Sequence, residues 1–221
     1  MLWMILQGSY DLVDLLLAFA AYAALILVMM PVHEAAHGFA AYKLGDPTAK
    51  MSGRLTLNPM AHIDPLGAVL IMLCGIGYAK PVPVNPYYFR NRKRDMAMTA
   101  LAGPLSNLAM AAISVGLFSL ICRFSTSLAV IQGAMIVLLE VFASVNISLA
   151  VFNLLPIPPL DGSRIFGAIL PERWTYWMDQ YHQYVRMALL LLVFSGALSR
   201  PLNYLCNIVF RALLRAFGLL A

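Results

Sequence analysis

Charged residues are scarce. Asp, Glu, Lys and Arg make up 11% of the 221 residues, against 62% hydrophobic, so the chain has too little polar surface to cover a soluble globule of its size. It reads as an integral membrane protein. Cysteine is sparse as well: Cys74, Cys122 and Cys206 stand singly within or beside apolar stretches. Without the paired spacing of a thiolate metal site or a disulfide framework, they read as small buried hydrophobes. Met1 to Tyr10 holds no Lys or Arg. The charged n-region of a cleavable signal peptide is therefore missing, and the first apolar segment is expected to stay in the mature protein. There is no internal repeat, no low-complexity tract and no segment long enough for a separate soluble domain.

The net charge of +5 would admit nucleic acid as a partner, but the basic residues form no soluble domain with interleaved aromatics. Their placement speaks to membrane topology instead. Lys43, Lys50, Arg54, Lys80, Arg90, Arg92, Lys93 and Arg94, eight of the fifteen, lie between the first long apolar segment and the next. That stretch is expected on the cytoplasmic side, with the N-terminus outside. The remaining spans then alternate, so that Arg123 faces outside while Arg164, Arg173, Arg211 and Arg215 fall inside, with Arg200 as the exception.

The first helix is expected from about Asp11 to Leu44, kinked at Pro31 and stopped by Gly45-Asp46-Pro47. Residues 48–94 scatter Gly, Pro and Asn through short segments. Among them Arg54-Leu55-Thr56-Leu57 alternates with period two, which predicts a strand in a small sheet or hairpin. Gly67 to Ala79 is apolar but short for a span, which predicts a re-entrant or interfacial element. Further apolar segments follow at Met96 to Ile121, Leu128 to Leu155, Val185 to Leu198 and Leu202 to Leu220. The fold class expected is an all-α, multi-span membrane bundle with a small membrane-associated β-sheet or hairpin after the first core helix. It forms one domain over 1–221, with a core at about 11–170 and C-terminal helices at about 182–220.

The chemistry is concentrated in His33-Glu34-Ala35-Ala36-His37, at the end of the uncharged run Leu15 to Val32. On a helix, residues four apart share a face one turn apart, so the two histidines can bind one metal with Glu34 beside it. A rise of about 1.5 Å per residue puts His33 roughly 30 Å from the helix start, close to the cytoplasmic edge of the hydrocarbon layer. Three ionisable groups there cost free energy unless they are paired, hydrated or metal-bound.

Catalytic zinc takes three protein ligands and keeps a position for water, so a third ligand is required. Asp161, in Asn153-Leu154-Leu155-Pro156-Ile157-Pro158-Pro159-Leu160-Asp161-Gly162, arrives at the same depth from another span. An Asp before Gly and after prolines also reads as a turn or a helix N-cap. Both readings stay open on the residues alone.

With these residues the chain resembles the site-2 protease family of intramembrane zinc metalloproteases. The likeness extends to Asn58-Pro59-Met60-Ala61-His62-Ile63-Asp64-Pro65-Leu66-Gly67, to Ala79-Lys80-Pro81-Val82-Pro83-Val84-Asn85-Pro86, and to Gly103-Pro104-Leu105-Ser106-Asn107. The resemblance implies that His33, His37 and Asp161 bind one zinc ion per chain, that Glu34 is the catalytic base, and that a small sheet follows the first core helix. It also implies substrates that are transmembrane proteins or signal-peptide remnants, in the cytoplasmic membrane of a bacterium or archaeon. The chain has room for neither the PDZ nor the CBS domain common in the family, and so resembles a minimal catalytic core.

Several polar groups carry two readings. Asn153 is a donor to the oxyanion or substrate, or a packing amide near a span end. Arg54 to Leu57 would offer a strand edge to an unwound substrate. His62, among turn residues, reads as structural. Glu140 lies 13 residues from Asn153, about 220° around the helix, and is expected to face away from the metal in a packing role. Trp174, Trp177 and Tyr181 read as interfacial aromatics. Two other classes compete with a protease: a transporter or ion pathway, and an inactive scaffold that binds membrane helices.

Overall fold

The computed structural model describes residues 12–74, 77–123 and 129–220. The N-terminal expectations, the Asp11 helix start and Leu128 fall outside these residues, and the Cys74 and Trp174 side chains are likewise undescribed. Every regular element among the described residues is helical: α1 (Leu12–Ala24), a π-helical stretch (Leu25–Met29), α2 (Met30–Lys43), α3 (Thr48–Met51), α4 (Pro59–His62), α5 (Pro65–Cys74), a 3-10 turn (Pro86–Tyr88), α6 (Arg92–Arg123), α7 (Ala129–Asn153), α8 (Asp161–Gly167), α9 (Glu172–Gln180), α10 (His182–Phe194) and α11 (Ser199–Ala216). Phe19–Lys43, Arg92–Arg123 and Met135–Asn153 are long and apolar enough to cross a bilayer. Helices α10 and α11, bent by 80° between them, are apolar enough only as a pair, as a broken span or a re-entrant loop.

Pro31 acts upstream of its own position. It has no N–H to give the preceding turn, and the helix widens into the π-helical stretch just before α2. Beyond it, α2 turns Pro31, His33, Ala35, His37, Gly38 and Ala41 inward and leaves Phe39 and Tyr42 exposed. The helix ends as the sequence predicts, with Gly45 at φ 105°, a conformation that suits glycine.

Helix α6 is the spine, packed against α7, α2 and α8. Its buried face repeats small or polar residues, Thr99, Gly103, Asn107, Ala111 and Val115. The four-residue spacing keeps them on one side and lets neighbouring backbones come close. Ala111 and Val115 join Ala143, Ile147 and Val151 of α7 in one core cluster, covered by Leu202, Cys206, Val209 and Phe210 of α11. In a second cluster Leu25, Ile26 and Met29 pack with Ile71 of α5, against Phe142, Val145 and Leu149 of α7.

The predicted β-sheet is absent: the described residues contain no strand. Arg54, Leu55, Thr56 and Leu57 form a bent connection whose polar groups are engaged locally. The Arg54 N–H donates to the Ala49 carbonyl (2.8 Å), Asn58 N–H to Thr56 Oγ1 (3.1 Å), and the Thr56 carbonyl meets His62 Nε2 (2.8 Å). Asn58 then caps α4 through Met60 N–H. An alternation of four residues is too short to separate a strand from such a turn. Among the described residues, Arg54 to Leu57 therefore presents no preformed strand edge.

The predicted topology of the C-terminal third is also revised. Phe217, just after α11, accepts hydrogen bonds at its carbonyl from Ser119 Oγ (3.0 Å) and the Arg123 guanidinium (3.4 Å) at the far end of α6. A cleft there is lined by both Arg123 and Arg215. Arg215 therefore shares an end with Arg123, not the opposite one. Arg164 lies instead by Met96, near the opposite end of α6.

Fully buried Asp46 ties the loops together. It accepts from Thr48 N–H (2.9 Å) and the Thr48 hydroxyl, and from Asn85 N–H (2.7 Å). Asp46→Ala would strand two backbone donors and is expected to lower stability by about 2–4 kcal/mol. The unfolding midpoint in detergent measures it, and no shift would remove Asp46 as an anchor.

Candidate metal centre

His33 and His37, one turn apart on α2, converge with Asp161. The three pairwise separations of His33 Nε2, His37 Nε2 and Asp161 Oδ2 are 3.1, 3.2 and 3.3 Å. Tetrahedral zinc with bonds of about 2.0–2.2 Å sets its ligand atoms about 3.3–3.6 Å apart. The side chains thus stand nearly as a zinc ion would hold them.

Hydrogen bonding favours the same arrangement. His37 Nδ1 lies 2.8 Å from the Thr99 carbonyl, so it carries the proton and leaves a lone pair on Nε2. Asp161 Oδ2 is buried with no hydrogen-bond donor among the described residues. An unpartnered, buried carboxylate oxygen facing two imidazole nitrogens leaves a place suited to a cation.

Neighbouring chain leaves room for such an ion. Gly103 of α6 approaches so closely that a Cβ there would stand 2.4 Å from His37 Nε2 and 2.6 Å from His33 Cε1. Gly162 plays the equivalent part beside Asp161: a Cβ would lie 2.2 Å from the Leu155 carbonyl oxygen and 2.4 Å from that of Leu154. Only glycine lets the chain double back onto the end of α7 and begin α8 with Asp161. Leu160 is the N-cap of α8 and no side chain caps it, so Asp161 is directed at the histidines and does not cap the helix.

Glu34 is half-buried beside the centre, and its Oε2 accepts a hydrogen bond from Val82 N–H (2.9 Å). Asn153, the last residue of α7, is half-buried. The Arg54 guanidinium binds the carbonyls of Lys80 and Pro81, while Leu55 packs near Gly38 and Leu57 is exposed. His62 is buried and structural: besides its ring contact to Thr56, its carbonyl accepts from Lys80 N–H (2.8 Å). Glu140 is exposed midway along α7, not packed as expected. Trp177 and Tyr181 are exposed and in mutual ring contact, with centroids 5.3 Å apart.

Five contributors escaped the sequence reading. The Thr99 carbonyl is a backbone group and leaves no trace in residue type. The close approach of Gly103, and of Gly162, depends on packing between distant segments. Val82 did leave a signal, because it supplies the sole N–H in Pro81-Val82-Pro83. Asn107 is the fifth. It is fully buried one turn beyond Gly103, with neither amide atom partnered among the described residues.

Comparison with known proteins agrees with this geometry. The profile of Peptidase family M50 matches residues 21–195. The chain is 39% identical to "Putative zinc metalloprotease YwhC" of Bacillus subtilis over 168 residues, 76% of this chain and 77% of that one. It is 32% identical over 154 residues to the Rip2 protein of Mycolicibacterium smegmatis, which bears the same metalloprotease title, covering 66% of this chain and 54% of Rip2. The Rip2 protein of Mycobacterium tuberculosis is 33% identical over 152 residues, with the same coverage of each chain. No solved structure matches. With three helices able to span a bilayer and the family profile over most of its length, the chain is a multi-pass membrane protein and belongs to peptidase family M50, the site-2 protease family of zinc metalloproteases.

Proposed function

We propose that this protein is an intramembrane zinc endopeptidase that hydrolyses peptide bonds in or near transmembrane segments of other proteins, close to the cytoplasmic face. The observation that carries the reading is the triangle of His33, His37 and Asp161 atoms, two of them borne by a helix able to cross a bilayer. The site lies at the end of α6 that begins with Arg92, Lys93 and Arg94, and Lys43 ends α2 nearby. Basic residues gathered at one end favour the cytoplasmic side.

His33, His37 and Asp161 would hold the zinc, which would supply a water activated near neutral pH and a Lewis acid for the scissile carbonyl. Glu34 takes the proton of the attacking water and delivers it to the leaving amine. Asn153 is assigned as an amide donor that orients the carbonyl under attack. A substrate helix hides its carbonyls in its own hydrogen bonds, so cleavage requires local unwinding. Substrates of this kind are membrane proteins and the remnants of signal peptides.

The test is cleavage of membrane-spanning reporters by the purified protein in liposomes, with the cut located by product mass. A cut near the cytoplasmic end, abolished by chelation and restored by zinc, is expected. Passage of zinc across the bilayer with no cleavage would favour the ion-pathway reading instead.

A further inference from the structure

Residues 79–85 run across the centre without regular structure, tied down at four points. Lys80 N–H donates to the His62 carbonyl (2.8 Å), and the Arg54 guanidinium grips the carbonyls of Lys80 and Pro81. Val82 N–H donates to Glu34 Oε2 (2.9 Å), and Asn85 N–H to buried Asp46 (2.7 Å). The Val82 side chain is buried, and a Cβ on Gly38 of the histidine-bearing helix would stand 3.2 Å from its Cγ1. The strap is thus anchored on either side of a single contact with Glu34.

We propose that Val82 is a positioning residue, whose backbone N–H fixes the Glu34 carboxylate for proton transfer. Pro81 and Pro83 have no N–H, so Val82 gives the strap its one donor at this point and no neighbour can substitute by a slip of register. The proline at 83 also biases Val82 toward the extended conformation that aims its N–H sideways. One oxygen of Glu34 is then held by the strap, and the other is free to receive and return the proton. A carboxylate released from that bond would sample rotamers that face away from the reacting water.

The inference rests on Glu34 being the catalytic base, and the experiment separates the two. Replacing Val82 by its α-hydroxy acid turns the amide into an ester, deleting the N–H and keeping the side chain. Val82→Pro deletes the same N–H by ordinary mutagenesis, and Val82→Ala keeps it. The ester and proline variants are expected to lose about 10- to 100-fold in kcat with KM within about twofold and zinc content unchanged. Val82→Ala should lose at least about fivefold less than either.

Amide exchange gives a readout free of catalysis: in Glu34→Ala the Val82 amide should exchange about tenfold faster or more while that of Asn85 does not change. Equal losses in the ester and alanine variants, or unaltered Val82 exchange, would overturn the positioning role. If Glu34→Gln itself leaves cleavage intact, the base assignment falls as well; if Glu34→Gln abolishes cleavage while the ester behaves as wild type, only the strap's role falls.

Discussion

Glu34→Gln is expected to lower kcat on a membrane-spanning reporter by about a thousandfold or more while zinc stays bound. Glutamine has nearly the shape of glutamate, and its side-chain oxygen can still accept from Val82 N–H, so the fold and the strap should survive. What is lost is the basic oxygen. A neutral amide takes no proton from water and has none to pass to a leaving amine, so the loss should appear in kcat with KM little changed. Glu34 is not one of the three converging residues His33, His37 and Asp161, which is why metal content should hold. Single-turnover cleavage, with metal analysis of the same sample, measures both. Retained activity would remove Glu34 as base, and lost zinc would make it a structural support of the centre.

Gly103→Ala is the second large effect, and it acts on metal rather than on proton transfer. The new methyl would lie 2.4 Å from His37 Nε2 and 2.6 Å from His33 Cε1, well inside van der Waals contact. It would stand among the ligand atoms themselves. The rings of a short, packed helix face cannot retreat without losing the Thr99 bond or the Asp161 contacts. Zinc affinity is expected to fall by at least about a hundredfold, with overpacking costing about 1–3 kcal/mol of stability. Gly116→Ala on the same helix is the control. Its methyl would meet the Phe217 ring edge at 2.9 Å, a side chain that can shift, at the end of α6 remote from the metal. Zinc titration of both variants should leave Gly116→Ala close to wild type, and equal affinities in the two would contradict the close approach at Gly103.

The sequence made the convergence legible because metal chemistry leaves residue-type signals. His33 and His37 declare a shared helical face by spacing alone. The decision between a ligand and a cap at Asp161 needed three dimensions, since both readings call for the same Asp-Gly pair. The long spans were legible from apolar length, and α6 and α7 fall where Met96 to Ile121 and Leu128 to Leu155 placed them to within a few residues. Short-range patterns misled. Arg54 to Leu57 alternates like a strand, yet Thr56 and Asn58 close turns through their own side chains. Arg215 was assigned to the wrong end because two apolar segments were counted as two crossings, when they are apolar enough only as a pair bent by 80°. The Thr99 carbonyl and the Val82 N–H are backbone groups. Their roles arise only when α6 and the 79–85 strap are laid against α2.

The most direct test of the central claim is zinc K-edge X-ray absorption on the purified protein in detergent. His33, His37 and Asp161 predict one zinc per chain with two imidazole nitrogens and oxygen donors, all at about 2.0–2.2 Å, and no sulfur. A sulfur shell near 2.3 Å, or a single imidazole, would contradict the assignment.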